Sequence, residues 1–102
     1  MSRLIEVEDV LELPDRLRLA VGDLLRIAAS GGHVRDGTRT VEMLGPFLTS
    51  VVGTNGDVIA PMGPPNTVFF LVRGLGDATI DVVTGDPWHA PRTTVLELSV
   101  TA

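Results

Sequence analysis

Cysteine and lysine are both absent from the 102 residues of this chain, and tryptophan occurs only once. Without thiols, the sequence excludes disulfides, thiolate catalysis and zinc-thiolate sites, so we expect no redox role. No apolar stretch approaches the ~18 residues that a membrane-spanning helix needs. We therefore expect no membrane segment and no cofactor.

Positive charge is also scarce. Eight arginines stand against thirteen acidic residues, which gives a formal net charge of −5. Nonspecific phosphate binding depends on accumulated positive charge, so nucleic acid is not an expected partner. The acids Glu6, Glu8, Asp9 and Glu12 are interpreted as a solvated face, and the alternative is an acidic docking surface for a basic partner. The lack of lysine beside frequent Val, Gly, Arg and Asp indicates a high-GC genome, which favours a bacterial source.

The length of the chain predicts one domain, residues 1–102, that is large enough to fold without covalent cross-links. Residues 1–14 are expected to be an N-terminal strand or extension, because their apolar residues fit a strand better than a helical face. Near the N-terminus, the acids Glu6, Glu8 and Asp9 stand where a secretory signal would have an apolar core. For the sequence as it stands, we therefore expect a cytoplasmic protein. An exported mature form whose leader was removed stays open.

The last third of the chain shows the period-two alternation of β-strands in the segments 66–73, 77–83 and 93–101. Successive side chains of a strand point to opposite faces, so one apolar set should form the core. That predicted set is Ala78, Ile80, Val82, Leu96, Leu98 and Val100. Segment 66–73 is apolar on both faces, which predicts a central strand or one covered by another surface.

Phe69 and Leu71 lie on the second face of segment 66–73. Large apolar side chains on that face predict a homodimer formed by sheet packing through these two residues. The alternative is that the N-terminal segment 2–13 folds over them.

The remaining segments are divided by turn signals. Further strands are predicted at 16–21, 24–29, 40–44 and 47–52, with a turn at Val21-Gly22-Asp23, a bulge or break at Gly45-Pro46 and a hairpin at Asn55-Gly56. Residues 30–38 are rich in glycine and lack apolar periodicity, so they predict a loop. Together the pattern predicts an all-β fold: an immunoglobulin-like antiparallel β-sandwich of seven or eight strands with Greek-key connections.

From about Arg16 onward, this order of segments resembles the chagasin-like inhibitors of papain-type cysteine peptidases, which are small immunoglobulin-like sandwiches. The segments that carry the resemblance are Val21–Ile27, Gly63–Phe70, Gly74–Ile80, Asp86–Trp88 and Val95–Val100. The first contains the family's valine-glycine-acid sequence before an alternating strand. The resemblance implies a β-sandwich that binds a protein partner and needs no catalytic residues of its own.

The resemblance also implies that three loops at one end of the sandwich enter the peptidase cleft. The family's Asn-Pro-Thr-Thr-Gly loop falls on 30–38, its Gly-x-Gly-Gly loop on 61–66 and its Arg-Pro-Trp loop on 84–92. The first lacks the proline-threonine core, the second retains only Gly63, and the third has Asp86 where the family has arginine, which reverses a charge. The implied partner-binding residues are Gly31, Gly32, His33, Met62, Gly63, Asp86, Pro87, Trp88 and His89.

Trp88 allows two interpretations. A large aromatic beside a proline, in a loop between two strands, either caps the open end of the core or projects as a contact residue. The function depends on which of the two holds.

His33 and His89 are the only histidines, and both fall in predicted loops. With Asp36 or Asp86 they would offer imidazole and carboxylate ligands to a divalent metal, but their spacing matches no established ligand pattern. Ser30, His33 and Asp36 contain the residue types of a hydrolase triad, yet their crowding in one loop opposes the geometry of a triad. We therefore expect no catalytic residue and no metal ligand.

The leading hypothesis from the sequence is a protein-binding module that resembles an inhibitor of papain-type cysteine peptidases, with divergent loops. A second hypothesis is a structural or accessory sandwich that self-assembles or joins a larger complex. A third, ranked last, is a small enzyme that uses His33, His89 and Asp86.

Overall fold

The computed structural model of the protein describes residues 2–86 and 88–102. Within these residues the chain forms ten strands, which are β1 (Leu4–Val7), β2 (Arg16–Ala20), β3 (Leu24–Ala28), β4 (Gly31–Asp36), β5 (Val41–Phe47), β6 (Val51–Val52), β7 (Val58–Ile59), β8 (Thr67–Val72), β9 (Gly76–Thr84) and β10 (Arg92–Thr101). One turn of 3₁₀-helix spans Val10–Glu12. This part of the chain includes no helix that could span a membrane.

Eight of the strands in the described residues build two four-stranded sheets. The first sheet has the order β1-β3-β8-β5 and the second the order β2-β10-β9-β4, while β6 and β7 pair only with each other. The predicted all-β, immunoglobulin-like sandwich is confirmed. Both sheets are mixed, because β1 runs parallel to β3 and β2 runs parallel to β10.

The core lies between the two large sheets. Each of the six residues predicted to point inward on β9 and β10 is at most 3% exposed, so that prediction is confirmed. The opposing sheet contributes Leu25, Ile27, Val68 and Phe70, all 0% exposed. Removing this much apolar side-chain surface from water is the main stabilising contribution to the fold.

Strand β8 occupies the predicted central position, between β3 and β5. Its inward side chains are fully buried, while Phe69 and Leu71 point to the outer face and are half-buried. The alternative interpretation, that segment 2–13 folds over them, is wrong. Instead, β1 extends the sheet at its edge, in register with β3, so Phe69 and Leu71 remain on an open face.

The predicted loop at 30–38 is wrong over Gly31–Asp36, which form the edge strand β4 and pair antiparallel with β9. An added Cβ at Gly32 would lie 3.1 Å from Cζ of Phe70 and 2.9 Å from the carbonyl oxygen of Asp81. Phe70 therefore fills the space that an inward side chain of β4 would take. The strand lacks apolar alternation at Gly32 because Phe70 of the facing sheet supplies the apolar volume there.

Two turn predictions are confirmed. At Gly45-Pro46 the register of β5 against β8 shifts, which is a bulge, and the peptide bond is cis. At Asn55-Gly56 the chain reverses between β6 and β7, with Gly56 at φ +89°, in the left-handed region that glycine adopts readily.

Candidate protein-binding surface

Three connections meet at one end of the sandwich: residues 29–30 between β3 and β4, the segment 48–66 between β5 and β8, and the loop 85–91 between β9 and β10. The backbone N–H of Ala29 donates to the carbonyl of Asn66 at 3.2 Å, and that of Ser30 donates to Val83 at 2.9 Å. Residues 29–30 thus join the two sheets at this end. An open depression of about 260 Å³ lies where the connections converge, and it is lined by Ala28, Ala29, Ser30, Pro65, Asn66, Thr84 and Gly85.

In the loop 85–91, Asp86 accepts three hydrogen bonds from the backbone of residues 88–90. Its carboxylate Oδ1 accepts the backbone N–H of Trp88 at 2.8 Å, and its carbonyl accepts the N–H groups of His89 and Ala90 at 3.2 and 3.1 Å. An Asp side chain that bonds its own backbone two residues on mimics a backbone turn. Asp86 stands where the chagasin-like inhibitors have arginine. Its hydrogen bonds to the backbone of its own loop therefore help to fix the conformation of the residues that follow it.

Trp88 is 72% exposed, so it does not cap the core. Of the two interpretations from the sequence, only the projecting aromatic fits the structure. His89 stands beside it with its side chain 83% exposed and its Nε2 4.0 Å from Oδ2 of Asp86. Pro87, the remaining predicted contact of this loop, lies outside the described residues.

Met62 and Gly63 lie on the same end of the sandwich, in the irregular segment before β8. Met62 is 100% exposed, and Gly63 has φ +126° with open space around it. An unbranched thioether side chain in full contact with water is adaptable and common at binding surfaces. Like the contacts of loop 85–91, their role in binding stays a prediction.

Asn66 anchors the base of this segment. Its side-chain oxygen accepts the N–H of Thr49 and the hydroxyl of Thr67, both at 3.0 Å. Its backbone N–H donates to the carbonyl of Phe47 at 2.9 Å, and its own carbonyl accepts the N–H of Ala29. Asn66 thereby fixes the start of β8, the end of β5 and the crossing between the sheets relative to one another.

The β6–β7 hairpin is a feature of this end that was not assigned to the site from the sequence. Its four strand residues Val51, Val52, Val58 and Ile59 are between 55% and 73% exposed. A two-stranded hairpin standing alone is marginally stable, and a run of exposed apolar side chains marks an interaction surface. The sequence does contain a sign of this exposed hairpin. Apolar dipeptides, Val51-Val52 and Val58-Ile59, stand on either side of the turn at Asn55-Gly56, and neither alternates with polar residues.

The predicted contacts Gly31, Gly32 and His33 lie in β4 and not in a loop. Gly31 begins the strand opposite Val83, close to the three connections, whereas Gly32 points into the core beside Phe70. His33 is exposed on the outer face of the second sheet and is paired with Asp81. Of the predicted loop 30–38, only Ser30 and Gly31 lie near the end of the sandwich where the three connections meet, which we call the candidate binding end.

The structure does not assemble the catalytic sets considered from the sequence. Residues three apart in a strand are roughly 10 Å apart, so Ser30, His33 and Asp36 do not form a hydrogen-bonded triad. The hydroxyl of Ser30 instead donates to the carbonyl of Val83 at 3.2 Å. Over residues 2–86 and 88–102, no three His, Asp or Glu side chains are grouped so that they could hold a metal ion.

Comparison with known proteins gives a likeness of fold. No family model and no curated protein matches the sequence. The crystal structure of the cysteine protease inhibitor EhICP2 from Entamoeba histolytica is similar, with a TM-score of 0.59 at 14% identity over 98% of this chain and 97% of that chain. The solution structure of amebosin gives a TM-score of 0.53 at 14% identity over 97% and 98%.

At this level of identity, the two structures establish the fold alone. The resemblance to the chagasin-like inhibitors is confirmed in that sense: this chain has the β-sandwich of a known cysteine protease inhibitor along nearly its whole length. Since function resides in the site and not in the fold, activity must be argued from the residues at the candidate binding end.

Proposed function

We propose that this protein binds papain-type cysteine peptidases and blocks their active-site cleft with the end of the sandwich formed by loop 85–91, segment 60–66 and the β6–β7 hairpin. The observation that carries the proposal is the exposed Trp88, held on a compact turn at one end of an inhibitor-like fold.

Loop 85–91 is suited to block a cleft without being cleaved. Asp86 accepts hydrogen bonds from the backbone N–H groups of Trp88, His89 and Ala90, so residues 88–90 fold back on Asp86 and are not presented as an extended peptide. A turn that is already ordered loses little conformational entropy on binding, which favours affinity. Trp88 supplies a large apolar surface of the kind that dominates binding energy at interfaces.

The β6–β7 hairpin adds exposed apolar residues to this surface. In place of a long loop at 30–38, the chain has only the crossing 29–30, and the projecting apolar residues instead belong to the hairpin and Met62. We assign these residues to contacts with the peptidase surface beside the cleft. Burial of the exposed valines and the methionine would contribute at most about 25 cal/mol per Å² of apolar surface, from which the entropic cost of association is subtracted.

The test is titration of the purified protein against papain, with residual peptidase activity as the readout. We expect inhibition by the wild type and at least about a 30-fold higher inhibition constant for Trp88→Ala, because a hot-spot aromatic contributes about 2 kcal/mol or more. The matched control is Leu75→Ala. Leu75 is 61% exposed in the turn between β8 and β9, at the opposite end of the sandwich, and its loss should leave inhibition unchanged.

Circular dichroism and the melting temperature of each variant establish that it is folded before inhibition is compared. Absence of inhibition by the wild type up to about 100 µM would refute the proposal, since an affinity weaker than about 5 kcal/mol is not that of an inhibitor. Equal losses for Trp88→Ala and Leu75→Ala would place the contact elsewhere on the molecule.

A further inference from the structure

The outer face of the first sheet carries an apolar strip that crosses all four strands. In one row of directly opposed residues, Leu4, Leu24 and Leu71 stand side by side on β1, β3 and β8. In the next row, Phe69 stands beside Leu44, and the ring of Phe47 packs edge-on against Phe69 with centroids 5.9 Å apart. The apolar strip is defined as Leu4, Leu24, Leu71, Phe69, Leu44 and Phe47.

Much of this strip is in contact with water. Leu4, Phe47 and Leu44 are 58%, 48% and 38% exposed, while Leu24, Phe69 and Leu71 are half-buried by their neighbours. The outer face of an antiparallel sheet that meets solvent normally carries polar side chains. A contiguous apolar strip across a sheet face marks a surface that another surface covers.

Ion pairs flank the strip at two opposite corners. Glu6 on β1 and Arg26 on β3 continue the row of Phe69 and Leu44, and Arg26 Nη1 lies 3.6 Å from Glu6 Oε1. Glu42 on β5 continues the row of Leu71, and its Oε1 lies 3.4 Å from Nη1 of Arg73, which follows β8. Each corner therefore has no net charge, although the whole chain has a net charge of −5. Such a face offers a charged partner no net electrostatic attraction. Two copies of this chain, each with a net charge of −5, could approach through it because the excess negative charge lies elsewhere on the surface.

We propose that the apolar strip is a self-association surface, through which two copies of this chain pack sheet on sheet about a two-fold axis. An isologous contact places the same patch on both subunits, so the apolar residues meet apolar residues and each neutral corner faces another neutral corner. Sheets stacked face to face lie about 10 Å apart with interdigitated side chains, which suits a strip of leucines and phenylalanines.

The size of the strip predicts a weak dimer. With strands about 4.8 Å apart and same-face residues about 7 Å apart, the six residues of the strip cover roughly 200 Å² of the sheet plane. Interfaces of standard size bury about 800 Å² on each partner, so we expect a dissociation constant on the order of tens to hundreds of micromolar. The candidate binding end is a separate surface, and a dimer through the strip would carry two candidate binding ends.

The test is sedimentation velocity of the full chain from about 5 to about 500 µM, a range that brackets the expected constant. The wild type should show a reversible shift from monomer to dimer. Leu44→Glu places a charge in the strip and should weaken the dimer at least about tenfold. Val95→Glu is the matched control, because Val95 is 44% exposed on the outer face of the other sheet, and it should leave the constant unchanged.

A second variant keeps the test independent of the folding of Leu44→Glu. The wild type contains no cysteine, so Leu71→Cys introduces a single thiol near the centre of the strip. Under mild oxidation, Leu71→Cys should form a covalent dimer much faster than Val95→Cys at the same concentration.

A wild type that remains strictly monomeric at about 500 µM overturns the proposal. A dimer that Leu44→Glu leaves intact also overturns it. A dimer that is lost in Val52→Ser/Val58→Ser instead would assign self-association to the hairpin and would overturn the proposal as well. Because the readout is oligomeric state, none of these outcomes depends on inhibition of papain.

Discussion

Arg3 and Asp23 form a bidentate ion pair, with Arg3 Nε 2.8 Å from Asp23 Oδ1 and Nη2 2.6 Å from Oδ2. The side chain of Asp23 is 1% exposed, and its Oδ2 also accepts the N–H of Ala20 at 2.8 Å. Its carbonyl accepts the N–H of Val72 at 2.9 Å. The acid of the valine-glycine-acid sequence is thus structural, because it joins the N-terminal segment to the turn between β2 and β3 and to the end of β8.

Removal of the arginine should destabilise the protein. Arg3→Ala would leave the buried carboxylate of Asp23 with the single N–H of Ala20, and we expect a loss of about 1–3 kcal/mol in the free energy of unfolding. Urea denaturation at neutral pH measures it. Arg18→Ala, at an exposed position of β2, is the control and should change stability by less than about 0.5 kcal/mol. Equal stabilities of the two variants would contradict the structural role of the pair.

The pH dependence of stability should reveal the same interaction. The hydrogen bonds from Arg3 hold the pKa of Asp23 below its ordinary value of 3.8, burial opposes this shift, and the N–H of Ala20 adds to it. A pKa lowered by folding contributes stability that is present above the unfolded value and is lost as the pH falls through the folded value.

The advantage of the wild type over Asp23→Asn in free energy of unfolding should therefore be constant above about pH 5 and shrink as the pH falls below about 4. Urea midpoints measured along this series give the difference directly. A gap that stays constant down to about pH 2.5 would show that Asp23 does not have a lowered pKa in the folded state.

Neighbouring glycines in β4 should differ sharply in their tolerance of a methyl group. A Cβ at Gly32 would contact the carbonyl of Asp81 and the ring of Phe70, whereas one at Gly31 would meet only Cβ of Val83 at 3.7 Å. We expect Gly32→Ala to cost about 1–3 kcal/mol, as overpacking of a core does, and Gly31→Ala to remain within about 1 kcal/mol of the wild type. Thermal unfolding of the two variants side by side tests the difference, and equal melting temperatures would mean that β4 is not packed against Phe70.

The turn of loop 85–91 should depend on the side-chain oxygen of Asp86. Asp86→Ala removes the acceptor for the N–H of Trp88, and we expect the inhibition constant for papain to rise about 2- to 10-fold while the melting temperature changes little. Asp86→Asn keeps a side-chain oxygen that can accept the same hydrogen bond and should restore most of the affinity. Asp15→Ala, at an exposed acid before β2, controls for the loss of a negative charge. A failure of Asp86→Asn to restore affinity would attribute the effect to charge.

The β6–β7 hairpin should contribute to binding without contributing to global stability. Val52 and Val58 are 73% and 71% exposed and directly paired, so Val52→Ser/Val58→Ser should leave the melting temperature nearly unchanged. Loss of their burial in the complex should raise the inhibition constant at least about tenfold, at about 0.8 kcal/mol per buried CH₂. Val95→Ser/Leu75→Ser removes comparably exposed residues elsewhere. If the hairpin variant inhibits as well as this control, the hairpin lies outside the interface.

The candidate site was only partly predictable from the sequence. Met62, Asp86, Trp88 and His89 were singled out from loops with strong turn signals, and the structure places all four in water at one end of the sandwich. Gly31, Gly32 and His33 were assigned to a loop because a glycine-rich segment has no side-chain alternation to reveal a strand. The hairpin residues are not predictable as part of the site, because a local pattern predicts a turn but does not predict how far that turn projects from the core.

By itself, the sequence determined the strands in which one face meets the core and the other meets water. The alternation in β9 and β10 has a period of two, and local geometry alone assigns Ile80 and Leu98 to the inside. Tertiary structure decided what depends on residues distant in sequence: that Phe70 leaves room only for a glycine at position 32, that Asp23 is buried against Arg3, and that Trp88 projects into water. These outcomes depend on what faces each residue across the fold, which a local pattern does not contain.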